Sequence, residues 1–159
     1  MDKTIINMQS VSAEIAGKTI LKNLNCRIHA GEKIGIIGPS GSGKSSFIRT
    51  INLLLPISSG SIHLFDKPLD AKADLLQVGM VFQRFDLFPH LSVMENLTLA
   101  PCIVKKMPLD QAQSLACDML KKVHMDGFED RFPHSLSGGQ AQRVAIARCL
   151  GMQPTVLLL

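Results

Sequence analysis

The sequence predicts an α/β fold, with strands gathered toward its start and helices toward its end. Three observations carry that prediction. Near the N-terminus apolar and polar residues alternate, Leu24, Cys26 and Ile28 against Asn25, Arg27 and His29. From about residue 92 onward apolar residues recur instead with a helical period. Between these regions a glycine-rich loop at 38–43 joins an apolar run to an amphipathic one. A period of two marks a half-buried strand and a period of 3.6 a helix.

Taken in order, residues 1–30 read as strands and Ala30-Gly31-Glu32 as a turn. The apolar run Lys33-Ile34-Gly35-Ile36-Ile37 reads as a buried strand. A helix should follow the loop to about Leu55, burying Phe47, Ile48, Ile51, Leu54 and Leu55, with Pro56 as its stop. Ser58-Ser59-Gly60 predicts a turn, Ile62 and Leu64 a strand, and Val78 to Phe82 a short buried strand. Ser92 and Glu95 form a capping box ahead of an apolar run. Pro108 opens the next helix, in which Ala112, Leu115, Ala116, Met119, Leu120 and Val123 keep the period, and Gly127 is the expected cap. A last helix is expected from Ser137 to Leu150, ended by Gly151 and Pro154, and Thr155 to Leu159 begins a buried strand.

Composition bounds the function. At 46% hydrophobic and 19% charged the chain is globular, and 159 residues suffice for one domain with a real core. No run approaches the roughly 18 apolar residues of a membrane span. Met1-Asp2-Lys3-Thr4 has no charged-then-apolar leader pattern, so the expectation is a cytosolic protein that meets a membrane through a partner. Cys26, Cys102, Cys117 and Cys149 form no C-x-x-C pair and read as small buried hydrophobes in a reducing compartment. The net charge of +4 is modest, and Lys105-Lys106 and Lys121-Lys122 are isolated pairs on solvated helix faces, so no nucleic-acid partner is expected.

Gly38-Pro39-Ser40-Gly41-Ser42-Gly43-Lys44-Ser45 fits G-x-x-x-x-G-K-[ST], with Ser46 next in the helix. Backbone N–H groups can wrap a polyphosphate only where glycine lets the chain curl tightly. A helix N-terminus adds unpaired N–H groups and a favourable dipole. Lys44 is the expected cation for the β- and γ-phosphates, and the Ser45 hydroxyl the expected Mg²⁺ ligand. A Gly/Ser linker could fit the same letters, but the strand before and the helix after favour the cradle. The loop alone does not choose between ATPases, GTPases and small-molecule kinases.

Leu136-Ser137-Gly138-Gly139-Gln140 lies about a hundred residues further on. Read locally, Ser137 is an N-cap and the glycines allow close approach to an anion; an ordinary capped turn has the same sequence. With the loop at 38–45, Gln83 in Val81-Phe82-Gln83, and Ala141-Gln142-Arg143-Val144-Ala145-Ile146-Ala147-Arg148 after it, the chain resembles the ATP-binding cassette family, whose signature is L-S-G-G-Q. The stretch from Gly79 to Asn96 is similar to the polar amino acid importers in particular.

The resemblance implies a P-loop NTPase fold: a RecA-like core with an N-terminal antiparallel β part and a helical subdomain. Its parts would be residues 1–83, the helical subdomain 84–135, and 136–159 with the signature helix and the start of the next core strand. It implies ATP and Mg²⁺, held between two subunits, with Ser137, Gly138, Gly139 and Gln140 acting in trans in a dimer. Gln83 would touch Mg²⁺ or the attacking water and sense the partner. Permease subunits and a solute-binding protein are the implied partners, the groove near Phe85 to Glu95 would receive a permease helix, and the place is the cytoplasmic face of the membrane.

The sequence departs from the family pattern twice. The family stacks adenine on an aromatic residue before the first core strand, where this chain has Ile15; it has no Tyr or Trp, and its first Phe is Phe47. His29 is the sole ring ahead of the loop. Weaker base selectivity and affinity are expected, since stacking is worth about 1–3 kcal/mol per base. In the family the strand begun at Thr155 runs into an Asp for the Mg²⁺ shell and a Glu general base, with a switch histidine later. Leu159 precedes all three, and His29, His63, His90, His124 and His134 precede the signature. The 159 residues therefore supply the cradle and one Mg²⁺ ligand but not the base for in-line attack. Apolar strand surface left uncovered at 156–159 predicts poor solubility of the isolated chain. The competing expectations are an incomplete copy of a transport ATPase and a non-catalytic fragment that binds nucleotide weakly or not at all. A GTPase fits worse because no N-K-x-D is present, and neither a GTPase nor a nucleotide kinase carries the signature found at 136–140. A soluble cassette acting on nucleic acid or ribosomes would share both motifs.

Overall fold

A computed structural model describes residues 3–69, 76–83 and 85–159 of the chain. The expected start of the helical subdomain, Arg84, and the leader positions Met1 and Asp2 lie outside the described residues. The fold divides into two compact units, Met1–Leu75 and Leu76–Leu159.

The first unit is built on a long hairpin. Strands β1 (Thr4–Ile15) and β2 (Lys18–His29) pair antiparallel from Thr4 against His29 to Ile15 against Lys18. Ala16 and Gly17 join them at φ 50° and 76°. Two left-handed residues match the natural twist of paired strands. Strand β3 (Ser59–Leu64) pairs with the other edge of β1, and the short β4 (Lys67–Pro68) completes the sheet order β2-β1-β3-β4.

The core face of β1 changes parity along its length. Ile6 and Met8 are buried, and so are Val11 and Ala13. A strict strand would send these two pairs to opposite faces. The ladder shifts register between Met8 and Val11, where Ser10 sits at φ 50° and donates its amide to Asn25 Oδ1 at 2.9 Å. The bulge thus returns the second apolar pair to the core. Gly60 passes directly over it at φ 87°, and a Cβ there would run into the carbonyl oxygens of Gln9 and Ser10. The expected turn at 58–60 is therefore partly strand, because glycine lets β3 start inside it.

Helix α1 (Lys44–Ile51) buries Thr50 and Ile51. It stops four residues short of the expected Leu55: Leu53 turns left-handed at φ 60°, and the Leu55 amide returns to the Arg49 carbonyl at 3.0 Å. The expected strand at 33–37 is absent from both described sheets, and Ile37 is 97% exposed. An apolar run becomes a buried strand only with ladder partners on its flanks, and no described strand pairs with it.

Among its described residues the second unit holds three helices, α2 (Val93–Val104), α3 (Leu109–Lys122) and α4 (Gly138–Gly151), with a 3₁₀ turn at Pro133–Ser135. They close around Val93, Leu97, Ala116, Met119, Leu120, Met125, Val144 and Ala147. The Ser92–Glu95 capping box forms as expected. The end of α3 corrects the reading of Gly127. His124 takes the left-handed position at φ 56°, its amide bonding to Lys121 O at 3.1 Å and the Met125 amide to Leu120 O at 2.9 Å. Buried Met125 draws the chain inward at that point, so the cap falls three residues early. Strands β5 (Val78–Met80) and β6 (Val156–Leu158) form a parallel pair. Gly79 is needed there, since a Cβ would lie 2.9 Å from Pro154 Cγ and closer still to Cys149 Sγ. The last strand is half-buried, not fully buried as expected. The four cysteines are free and partly buried, and burial pushes the Cys149 thiol above its ordinary range.

Candidate functional site

The loop 38–43 curls on itself ahead of α1. The Ser42 amide donates to Pro39 O at 3.2 Å, with Gly41 at φ 80° and Gly43 at φ 91°. A Cβ on Gly38 would come within 2.9 Å of Ser42 Oγ. One on Gly43 would lie 3.1 Å from Leu21 Cδ2 and 3.3 Å from the Ile20 carbonyl, so the loop rests on the start of β2. Glycine is thus favoured by conformation at Gly41, and by conformation and close contact at Gly43, while at Gly38 a side chain would only have to turn the Ser42 hydroxyl aside.

Lys44 lies folded across the loop, its ammonium donating to the carbonyls of Gly38 and Pro39 at 2.8 Å each. Those bonds draw the loop closed and fix the cation over it. Helix α1 begins without a side-chain cap and with no acidic residue in its first turn. Gly43 O accepts the Phe47 amide, which leaves the earlier N–H groups, at Lys44, Ser45 and Ser46, without a helical acceptor. Ser45 is exposed and Ser46 half-buried. Curled backbone, an open helix start and a fixed cation together suit a polyphosphate.

Ile15 stands at the hairpin tip, 45% exposed. The ladder that pairs it with Lys18 also pairs Ala13 with Leu21, the residue against Gly43. The predicted base-contact residue therefore sits at the loop's end of that ladder.

The residues 136–140 present a different helix start. Ser137 Oγ accepts the Gln140 amide at 3.3 Å, and Gln140 Oε1 accepts the Ser137 amide at 2.9 Å. This reciprocal box ties up two of the predicted contact side chains. Gly138 and Gly139 lie at the first two helical positions, neither at positive φ, and a Cβ on either would meet nothing within 4 Å. Among the described residues, nothing requires glycine there.

Gln83 is exposed in the turn after β5, where the Phe85 amide donates to Phe82 O at 3.0 Å. Two residues that organise the following segment escape a sequence reading. Asn96, buried on α2, accepts the Phe88 amide at 2.8 Å and donates to the carbonyls of Phe88, Leu91 and Ser92. Arg148, in the last turn of α4, donates to Asp86 O at 2.9 Å and to Phe85 O at 3.2 Å, with its guanidinium over the Phe88 ring. A polar Asn among the apolar residues of a helix was the one available signal for the first; Arg148 gave none.

A glycine-wrapped loop carrying a lysine and opening onto an uncapped helix, beside a small β-sheet, defines a phosphate-binding-loop protein of the α/β class. Comparison with known proteins narrows this further. Residues 21–159 match the ABC transporter family, and the chain belongs to it. It is 46% identical over 144 residues to the glutamine transport ATP-binding protein GlnQ of Geobacillus stearothermophilus, covering 87% of this chain and 60% of that protein. It is 44% identical over 159 residues to the arginine transport ATP-binding protein ArtM of Bacillus subtilis, covering 97% and 66%. The chain thus spans 60% to 66% of the length of these two curated relatives. Among solved structures, cbiO1 from Clostridium perfringens, part of the ABC transporter complex cbiONQ, is similar with a TM-score of 0.86 and 32% identity, over 99% of this chain and 64% of that one. The cassette MJ0796, in a dimeric post-hydrolysis state bound to ADP and Pi, is similar with a TM-score of 0.84 and 34% identity, over 96% and 72%.

Proposed function

We propose that this chain is the ATP-binding part of a subunit that drives import of polar amino acids through a membrane permease. The loop and helix start at 38–46 carry this reading, because their open N–H groups and fixed Lys44 suit a nucleotide's phosphates. The names of the glutamine and arginine relatives support the substrate class.

The chain's own residues divide the work. Amides of Gly41, Gly43, Lys44, Ser45 and Ser46 line the phosphate site, with Gly38, Pro39, Ser40 and Ser42 closing the curl. Lys44 swings from its two carbonyl acceptors toward the phosphates, exchanging neutral partners for charged ones. The Ser45 hydroxyl and the Gln83 side-chain oxygen are each hard oxygen donors of the kind Mg²⁺ takes, and the ion would supply charge neutralisation on the phosphates. Ile15 packs on the base with apolar surface only. The exposed glycines 138 and 139, which nothing in the chain explains, suit close approach of a second cassette's nucleotide, with Ser137 and Gln140 holding the helix start square to it. A dimer, as in MJ0796, is the assembly in which they act. Among the described residues no helix is long and apolar enough to cross a membrane, which fits a subunit that reaches the permease at the cytoplasmic face.

Amino acid uptake in the source cells tests the proposal. Replacing Lys44 with Ala should abolish uptake of one class of polar amino acids while other solutes enter normally. Unchanged uptake of every amino acid, with the protein present at its usual level, would overturn the transport reading.

A further inference from the structure

The segment that follows Gln83 is held in an unfavourable backbone. Phe85 and Asp86 lie consecutively at φ 63° and 42°, in the left-handed region that L-residues avoid. Neither is glycine. Their carbonyls are taken by one distant side chain, Arg148, 62 and 63 residues along the chain. The planar guanidinium meets the two adjacent carbonyls through two separate nitrogens, Nη1 to Asp86 and Nη2 to Phe85. The Phe88 ring lies 5.6 Å from the guanidinium carbon. Asn96 fixes the far side of the segment through Phe88, Leu91 and Ser92. Burial strips water from Arg148 and lowers its pKa, so these carbonyls replace solvent as its partners.

The connection runs both ways. The Phe85 amide closes the turn that carries Gln83, and the Phe85 carbonyl is one of the two that Arg148 grips. Arg148 stands at the other end of the helix begun by Ser137, about 16 Å along a rigid rod. We infer that Arg148 is a positioning residue: it locks the Gln83 turn to helix α4, so that the placement of the 137–140 helix start sets the placement of Gln83. This rests on the reading of Gln83 and 137–140 as nucleotide-facing groups; the physical link itself does not need nucleotide.

Hydrogen exchange on the nucleotide-free chain tests the link. In Arg148→Met the amides of Gln83 and of residues 85–88 should exchange about tenfold faster, while those of the α2–α3 core stay within about twofold. Arg148→Lys should restore only part of the protection, since lysine lacks the planar fork whose two nitrogens meet the two carbonyls beside the Phe88 ring. The decisive variant is Asp86→Gly in the Arg148→Met background. Glycine accepts a positive φ without penalty, so it should return most of the lost protection; Asp86→Asn, the control for charge, should return less. Acceleration spread evenly over the unit, or no rescue by Asp86→Gly, would make Arg148 an ordinary packing contact and overturn the inference. A parallel exchange run with MgATP separates the two readings. Failure of MgATP to slow exchange at 41–47 would defeat the nucleotide reading and leave the Arg148 result standing.

Discussion

Two glycine-bearing helix starts, 38–45 and 136–140, look alike in sequence and differ in what their glycines do. At the first, the chain itself demands them. Gly41 and Gly43 have positive φ, and a Cβ on Gly38 or Gly43 would crowd Ser42 or Leu21. The helix they lead into has no side-chain cap. At the second, Ser137 and Gln140 cap the helix reciprocally, and Gly138 and Gly139 stand in open space with helical backbone. Such glycines cost helix stability, about 1 kcal/mol each against Ala, without any return inside the chain. The first start is shaped by its own fold; at the second, no contact among the described residues accounts for the glycines.

The sharpest way to break this contrast is to put the same methyl group in both places. Gly43→Ala should destabilise the first unit by roughly 1–3 kcal/mol, through its left-handed φ and the contact with Leu21. Gly139→Ala should leave stability unchanged or raise it by up to about 1 kcal/mol. Chemical denaturation of the two variants measures both. A Gly139→Ala loss as large as that of Gly43→Ala would mean that the second glycines are structural after all.

Ile15→Tyr probes the first start from its base side. A ring at the hairpin tip should tighten MgATP binding by about 1–3 kcal/mol, read by calorimetry against an unchanged affinity for inorganic triphosphate. Equal gains for both ligands would place the effect on phosphate and not on base. Ser137→Ala, which removes the cap of the second start, should cost about 1 kcal/mol in the denaturation of the helical unit. It should leave phosphate binding at the loop untouched.

The smallest expected effect concerns the Ser92–Glu95 box. Hydrogen bonds from the Ser92 backbone and side chain hold the Glu95 carboxyl below its ordinary value. A depressed folded pKa stabilises above the unfolded value and is lost as pH falls through the folded one. Glu95→Gln should therefore flatten a slight fall in the stability of the helical unit that begins below about pH 4.3. A melt with the same acid slope in both proteins would show that the box carries no linked proton.

Much of this was legible in the sequence, for identifiable reasons. The strands within residues 1–30, the capping box at Ser92, the N-cap at Ser137 and the helix opened by Pro108 are local signals, and each appears where the pattern put it. The loop was legible because its glycines answer to its own backbone. What sequence missed depends on long-range partners. Residues 33–37 have the composition of a buried strand, yet a strand requires a ladder, and periodicity cannot report whether one is supplied. The cap at His124 was displaced from Gly127 by the burial of Met125, a tertiary preference. The bulge at Ser10 answers to Asn25 and to the crossing at Gly60. Arg148 and its two carbonyl partners are more than sixty residues apart, beyond the reach of any local pattern.

The central claim is that residues 38–46 form a nucleotide-phosphate site. Equilibrium titration of the chain with MgATP, beside Lys44→Ala, tests it most directly. The account predicts saturable binding that weakens by roughly 10- to 100-fold in the variant, the worth of a charge-assisted hydrogen bond, while its denaturation midpoint stays close to that of the parent. No binding by the parent chain, or equal binding by a folded Lys44→Ala, would contradict it.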